Sequence, residues 1–366
     1  GAGPRRAAGL FRGAGVRLPV PRGGGGGVAR MVPPMERYVH GFTWMADLEA
    51  SASRDQSATI ALRIQAAWLA ANPAPPTRPG KLGVWSVSAT GTRLLSWLVH
   101  APLLMAGDER SQQATLDAIN AHARWLDRHV ARGEDLLAQF AGWRAITAAG
   151  LLLTDGKPRR LFGEAGMIRA LGEMVGDDGG LLSRSPLGQM EAIALLVRLS
   201  ACYRAVDRDP PEAVTAMLSL LVPPLLALCH GDGSLGCWQG GWAVNGDQVA
   251  TLVEASRVRT RPLRDVRQWG YQRIAARKSI LQFDAAPPPL ARHARSGCAS
   301  TLAFELSHGG HRMVVNCGGS ACAGGLMPVR LEQGLRATAA HSTLVLDDAN
   351  STAVLMGGKI GTGVTE

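Results

Sequence analysis

The segment that decides the fold is Tyr271-Gln-Arg-Ile-Ala-Ala-Arg-Lys-Ser-Ile-Leu-Gln-Phe283. Two short runs, 271–276 and 279–283, flank the polar pair Arg277-Lys278. Such runs around a two-residue link are typical of a β-hairpin. From about residue 265 onward the hydrophobic period is two, which predicts that the chain changes here from helices to strands.

Further strands are predicted downstream of this hairpin. Residues 301–306 alternate between apolar and other side chains, His308-Gly309-Gly310 is a turn signal, and 313–316 forms the return strand. Another strand is predicted from His341 to Leu346, ending in the turn Asp347-Asp348-Ala349-Asn350. The spacing favours antiparallel strands of a sandwich or barrel. They are too few to close a pair of sheets, so the β domain is predicted to be truncated.

Upstream, residues 37 to 230 have the pattern of successive helices. One apolar stripe steps by three and four residues, through Leu116, Ile119, Ala123, Leu126 and Val130. Residues 92–105 are apolar nearly all round and are predicted to be buried on every side. Pro223-Pro224 is predicted to kink or end the last of these helices. Some of these helices are apolar on one side and others all round, which favours a double-layered helical barrel in which outer helices cover inner ones. A stacked-repeat solenoid is the main alternative, although no fixed period is found.

The net charge and the cysteine content of the chain exclude few classes of function. Of the net charge of +10, six charges come from arginines in residues 1–35, a Gly-rich leader without acidic residues that is predicted to be disordered. Such a tail binds polyanions without specificity, so specific nucleic-acid binding ranks last among the hypotheses. No apolar run reaches the length of a membrane span. The six cysteines, including Cys317 and Cys322, are predicted to be free or buried thiols.

Several segments in order resemble the heparinase II/III family, particularly its uncharacterised bacterial branch. They are 36–44 (ERYVHGFTW), 178–186 (DGGLLSRSP), 230–233 (HGDG), 301–306 (TLAFEL) and 335–343 (LRATAAHST). The resemblance implies an α+β multidomain fold, with an (α/α) toroid over 36–262 followed by an antiparallel β-sandwich that begins at 263–366. It also implies a periplasmic or cell-envelope location, an acidic polysaccharide as partner and no cofactor.

The reaction implied by the resemblance is β-elimination at a uronic acid. It needs a group that offsets the uronate carboxylate, a base for the C5 proton and an acid for the departing oxygen. In the family these are an Asn or His, a Tyr and a His in the cleft between the domains. The family's Tyr and His correspond to positions near Gly188-Gln189 of this sequence. The family's Asn corresponds to a position near Arg144, whose side chain could neutralise a carboxylate. The family's metal positions fall near Ser296, Cys298 and Asn316, a poor zinc set even with His341, so no metal is predicted.

The candidate catalytic residues are His341, Arg336 and His230. Candidates for substrate binding are Arg184, Arg144, Trp238 and Trp242. Each has a structural alternative: a hydrogen-bonded histidine, a solvated or capping-turn arginine, or a tryptophan that fills an interface. Two functions are therefore carried forward: a polysaccharide lyase, and a catalytically degenerate glycan-binding or scaffold protein of the same fold.

Overall fold

The computed structural model describes residues 10–13, 16–19, 33–80, 83–294, 296–320, 327–356 and 359–363. The chain forms two compact units. Unit 1 comprises Gly1–Glu134 with Ala138–Met167, and unit 2 comprises Asp135–Leu137 with Ile168–Glu366. Of the leader, the described residues before Pro33 are Leu10–Gly13 (β1) and Val16–Pro19 (β2), which pair antiparallel. The disorder predicted for the rest of the leader lies outside the described residues.

Unit 1 is built from helices. They are α1 (Pro33–His40), α2 (Trp44–Glu49), α3 (Arg54–Ala71), α4 (Val87–Val99), α5 (Ala101–Leu104), α6 (Glu109–His129), α7 (Leu136–Leu152) and the first part of α8 (Lys157–Met174). The side chains of Ser53, Ser86 and Asp108 cap α3, α4 and α6 by accepting backbone N–H groups. Each such cap stabilises a helix start by about 1 kcal/mol.

The segment 92–105, predicted to be buried on every side, is divided between two helices, and the prediction is wrong at Val99, which is 52% exposed. The break falls at His100, two residues before Pro102, which has no N–H group to continue the helical ladder. The stripe predicted on residues 116–130 is confirmed on α6 at Ile119, Ala123 and Leu126, which are buried. It is wrong at Leu116, which is 38% exposed. A short 3-10 helix, Val130–Arg132, then leads to Gly133.

A buried arginine organises the core of unit 1. The Arg93 guanidinium lies 4.4 Å from the ring centroid of Trp68 and donates from Nε to His122 Nε2 at 3.0 Å. Its Nη1 donates to the carbonyls of His40 and Val84. Burial lowers the pKa of Arg93 to about 9. The aromatic rings and carbonyls replace the hydration that burial removes.

Unit 2 contains the end of α8 and three further helices, α9 (Pro186–Arg204), α10 (Glu212–Ala227) and α11 (Gly246–Ser256). Of the two outcomes predicted for Pro223-Pro224, an end of α10 is excluded, because the helix continues through both prolines to Ala227, and a kink stays a prediction. The prolines withhold N–H groups from the carbonyls of Ser219 and Leu220. The Leu220 carbonyl oxygen packs against Gly179, where a Cβ would lie 2.0 Å from it. None of the helices that the structure describes is long and apolar enough to cross a bilayer.

The strands of unit 2 form an antiparallel sheet in the order β3 (Tyr271–Ala276), β4 (Ser279–Asp284), β5 (Phe304–His308) and β6 (His311–Val314). The hairpin predicted around Arg277-Lys278 is confirmed, and Arg277 has the positive φ of 54° that its tight turn requires. A bulge lies between Leu306 and Ser307 in the pairing of β5 with β6.

The two faces of this sheet differ in character. One face carries the polar side chains of Gln282, Glu305 and Ser307, which are fully buried. The opposite face carries apolar side chains that remain partly exposed, among them Ile274, Leu281, Phe283, Phe304 and Leu306. A polar inner face is unusual for a sheet, because every buried polar atom there needs a partner.

After the sheet, the described chain forms α12 (Val329–Gly334), a 3-10 turn (Thr338–Ala340) and a strand pair, β7 (Thr352–Val354) with β8 (Ile360–Gly363). The strand predicted over His341–Leu346 is wrong. It makes one backbone bond to β5, from the Phe304 N–H to the Ser342 carbonyl at 3.2 Å. Its other bonds there come from the Ser342 and Thr343 hydroxyls, which donate to the carbonyls of Phe304 and Thr301, so no regular ladder forms. The predicted turn at Asp347-Asp348 is confirmed, since both residues have positive φ and a bridge joins Leu346 to Ala349.

Candidate functional site

The buried face of the sheet in unit 2 is centred on the carboxylate of Glu305, which has no exposed surface. Its Oε2 pairs with His230 Nε2 at 2.8 Å and accepts from Arg312 Nη2 at 2.6 Å. Its Oε1 accepts from the backbone N–H groups of Cys237 and Asn316 at 3.1 and 2.9 Å. Four partners around one buried carboxylate compensate for its lost hydration.

His230 belongs to this network rather than to an accessible surface. Its Nδ1 lies 2.9 Å from Ser307 Oγ, and its side chain is fully buried. The turn that carries it is tight, since Asp232 Oδ1 accepts from the Ser234 N–H, and a Cβ on Gly231 would lie 1.9 Å from the Gly309 carbonyl oxygen. The placement of His230 therefore gives no support to a catalytic role and favours the structural alternative.

His341 and Asn316 form the second part of the site. Asn316 Nδ2 donates to the Cys237 carbonyl at 2.8 Å, which leaves its Oδ1 facing His341 Nδ1 at 2.9 Å and the Ser342 N–H at 3.2 Å. Because an amide oxygen only accepts, His341 Nδ1 must carry the proton. Burial lowers the pKa of His341 to about 4, so the imidazole is neutral at pH 7 and bears its lone pair on Nε2. Within the described part of the chain this Nε2 has no hydrogen-bond partner.

Arg336 lies five residues before His341 but is directed elsewhere. Its Nε donates to the Gly297 carbonyl at 2.7 Å, and its Nη1 donates to the Leu355 carbonyl at 2.8 Å. Its Nη2 bonds the Lys359 carbonyl, and the residue is almost fully buried. Arg336 thus joins three chain segments. A carboxylate-binding role would require it to leave these bonds.

Arg184 has the same kind of environment. Its guanidinium donates to the carbonyls of Trp269, Gly270 and Pro287 and pairs with the buried carboxylate of Asp284. Burial by itself lowers the pKa of Arg184, but the contact with Asp284 outweighs this and raises the pKa above its ordinary value. Its donors are used within the protein, so Arg184 connects the turn before α9 to the sheet rather than facing solvent.

The two candidate tryptophans lie in different surroundings. Trp238 has no exposed surface, donates from Nε1 to Gln282 Oε1 at 2.9 Å and lies 5.5 Å from the Tyr271 ring, centroid to centroid. It is part of the core, not of a sugar-stacking surface. Trp242 is 42% exposed. Of the predicted site residues, Trp242 therefore has the ring that a ligand in solvent can reach.

The residues at the positions that the resemblance assigns to the family's catalytic and metal-binding groups are buried in this protein. Gln189 Oε1 accepts from the Leu181 N–H, while its Nε2 donates to the carbonyls of Gly179 and Leu221. Arg144, in unit 1, is fully buried in a stretch of α7 whose residues 140–150 are all buried. Burial raises the pKa of Cys298 to about 12, so its thiol stays protonated. In the residues that the structure describes, no group of three His, Cys, Asp or Glu side chains is suited to hold a metal, and Cys322 lies outside them.

Sequence reasoning missed Glu305, Arg312 and the role of Asn316. Glu305 alternates with Phe304 and Leu306, a pattern that normally directs the charged side chain to solvent. Here the apolar residues are on the partly exposed face and the glutamate is inside. Polar residues at paired positions of neighbouring strands could have indicated the polar inner face. Gln282 of β4 pairs with Glu305 of β5.

Comparison with known proteins agrees with this architecture. Residues 258–365 match the family model "Heparinase II/III-like, C-terminal". The crystal structure of heparinase III superposes with a TM-score of 0.72 at 13% identity, covering 90% of this chain and 58% of that one. The heparan sulfate lyase HepC from Pedobacter heparinus superposes with a TM-score of 0.61 at 16% identity, covering 97% and 60%.

A curated relative, "FtsZ-localized protein C" of Caulobacter vibrioides, is 27% identical over 344 residues, which cover 88% of this chain and 54% of the relative. The chain thus spans little more than half the length of these proteins. The structural likeness confirms the predicted class, an (α/α) toroid followed by an antiparallel β-sandwich. Residues 258–365 therefore match the C-terminal domain of heparinase II/III-like proteins, and the chain has the fold of heparinase III.

Proposed function

We propose that this chain belongs to a polysaccharide lyase-like protein that cleaves a uronic-acid-containing acidic glycan by β-elimination, with His341 as the base. The observation that supports this proposal is the bond between Asn316 Oδ1 and His341 Nδ1, which leaves Nε2 of a neutral imidazole without a partner among the described residues. A base held in one tautomer by a neighbouring acceptor is the arrangement that proton abstraction needs.

In the proposed reaction His341 Nε2 takes the proton from C5 of the uronate. The electron pair of that C–H bond forms the C4–C5 double bond, and the C4–O bond to the leaving sugar breaks. The departing oxygen takes up a proton from water, and His341 afterwards releases the C5 proton to solvent. The pKa of His341, about 4, makes it a weak base in the free protein. A uronate carboxylate bound beside it raises that pKa, because a nearby negative charge favours the imidazolium form.

Access to His341 is restricted. The residue is 7% exposed and its Nε2 is buried. Substrate entry therefore requires local opening of the chain around His341. The exposed ring of Trp242 offers a stacking surface for a sugar. We propose the acidic polysaccharide as the partner and the cell envelope as the location.

The test is the ultraviolet absorbance of the unsaturated uronate that β-elimination creates. The full chain is incubated with uronate-containing polysaccharides, beside His341→Ala and the matched variant His308→Ala. His308 is an exposed histidine at the end of β5. We expect an increase with the unmodified chain and with His308→Ala, and about a hundredfold lower rate with His341→Ala. An unchanged rate in His341→Ala would refute the assignment of the base.

The second candidate function is a non-catalytic glycan-binding or scaffold protein. Two observations favour it. Gln189 is fixed by three hydrogen bonds where the family resemblance implies the base, and the curated relative is named for its localization with FtsZ rather than for an activity. An absence of any absorbance increase, with glycan binding retained in a sedimentation or calorimetric assay, would support this alternative over the lyase.

A further inference from the structure

A separate concavity lies in unit 1, between the proline-rich loop that follows α3 and the last turns of α6. It has a volume of about 450 Å³, within the range of small-ligand sites. Its lining residues are Pro75, Pro76, Thr77, Ala121, Arg124, Trp125, Arg128 and His129.

The walls of this pocket are rigid before any ligand arrives. Proline fixes its own φ, and the loop carries Pro73, Pro75, Pro76 and Pro79 within seven residues. Trp125 Nε1 donates to the Pro76 carbonyl at 2.7 Å, which attaches the loop to α6. A preformed wall lowers the ordering cost of binding.

The pocket is cationic and carries no acidic side chain. Arg124 and Arg128 are both exposed and lie four residues apart, hence on one face of α6. Among the described residues neither has an ion-pair partner. The nearby carboxylate of Asp127 is taken by Arg159, whose Nη2 lies 3.0 Å from Asp127 Oδ2. Arg128 uses its Nε on the Arg124 carbonyl, so its two terminal nitrogens remain for a ligand.

The pocket also has an uncharged hydrogen-bonding ring. Burial and the neighbouring Arg132 and Arg128 lower the pKa of His129, so this ring is neutral at pH 7. It packs on Trp125 with 5.0 Å between ring centroids. His129 Nδ1 has no hydrogen-bond partner in the part of the chain that the structure describes.

We infer that this pocket binds a sugar residue that bears an oxyanion, either a carboxylate or a sulfate ester. Two guanidinium groups on one helix face match the oxygens of such a group, and the proline and histidine rings suit the apolar face of a pyranose. The pocket is then an additional glycan-binding subsite in unit 1. The two arginines of the pocket indicate that the ligand bears an oxyanion. That the ligand is a sugar rests on the proposed function.

The experiment is isothermal titration calorimetry on the full chain with three tetrasaccharides: one containing unsulfated glucuronate, one sulfated but without uronate, and one neutral. The double variant Arg124→Gln/Arg128→Gln is compared with Arg63→Gln/Arg110→Gln. The second pair removes the same charge from exposed positions on α3 and α6 outside the pocket.

We expect one or both acidic oligosaccharides to bind, and the neutral one not to. The pocket variant should bind at least about tenfold more weakly, because each lost charge-assisted pair is worth about tenfold or more. The control pair should change the Kd less than about twofold. Whichever acidic sugar binds more tightly identifies carboxylate or sulfate as the recognised group.

Equal weakening in both double variants, binding of the neutral sugar with the same affinity, or no binding at all would overturn the inference. The elimination assay and the binding assay distinguish failure of the proposed lyase function from failure of the proposed subsite. If the elimination assay is negative but binding is lost only in the pocket variant, the subsite stands without the lyase. If elimination occurs and the pocket variant binds normally, the lyase stands without the subsite.

Discussion

Asn316 and His341 are 25 residues apart in the sequence, yet the Asn316 amide oxygen accepts from His341 Nδ1 at 2.9 Å while its amide nitrogen is held by the Cys237 carbonyl. This pairing fixes the orientation of the amide, the tautomer of the imidazole and the position of its lone pair. It also occupies the place where the family resemblance implies a metal-binding carboxylate, and an amide is a weaker cation ligand than a carboxylate.

Replacement of Asn316 by aspartate should raise the pKa of His341. A carboxylate beside Nδ1 stabilises the imidazolium form and works against the burial that now holds the pKa at about 4. The measurement is an NMR titration of the His341 ring signals in both proteins. As a reference, the ring signals of the exposed His308 at neutral pH should be the same in the two proteins. An unchanged His341 pKa would show that the two side chains are not in contact.

Acid should destabilise the protein through His341. Its folded-state pKa of about 4 lies below the ordinary 6.5, so the unfolded chain binds the proton more readily and stability falls as the pH decreases from 6.5 towards 4. Between pH 7 and pH 4.5 the loss should be about 2 kcal/mol of unfolding free energy from this group. Urea unfolding at the two pH values tests it. His341→Gln should show a shallower dependence on pH than the unmodified chain, whereas His308→Gln should not.

Neutralising Glu305 should cost more stability than neutralising an exposed glutamate. In Glu305→Gln the partly buried Arg312 loses its ionic partner, the fully buried carboxylate, and breaking a pair with a buried member costs about 3 kcal/mol. Glu254→Gln, on the exposed surface of α11, should change stability by less than about 0.5 kcal/mol. Urea denaturation of both variants decides this, and similar midpoints would contradict the network described around Glu305.

The two candidate tryptophans should behave in opposite ways. Trp238→Ala removes a fully buried ring and its bond to Gln282, which should lower stability by about 3–5 kcal/mol. Trp242→Ala should leave the thermal midpoint nearly unchanged and weaken glycan binding severalfold, as expected for an exposed stacking ring. Thermal unfolding and affinity electrophoresis in a glycan-containing gel separate the two effects. Unchanged glycan mobility in Trp242→Ala would exclude this ring from the binding surface.

Local patterns in the sequence were sufficient for much of the fold. The hairpin around Arg277-Lys278, the stripe on α6 and the turn at Asp347-Asp348 were all predicted from neighbouring residues. Each depends on periodicity or turn chemistry that acts within a few residues. The strand predicted at His341–Leu346 failed because this segment makes a single backbone bond to distant Phe304 and otherwise bonds the carbonyls of Thr301 and Phe304 through hydroxyl groups.

The sequence by itself determined the change from helices to strands, the hairpin at its start and the family resemblance, because all three depend on spacing along the chain. Only the tertiary structure decided what the polar side chains do. Arg184 meets Asp284, and Arg336 meets the Gly297 carbonyl, across 100 and 39 residues. A sequence does not distinguish an arginine that binds a substrate from one that binds a buried carbonyl group. The choice depends on which distant acceptors folding brings within hydrogen-bond reach, since a buried charge without such partners would not be tolerated.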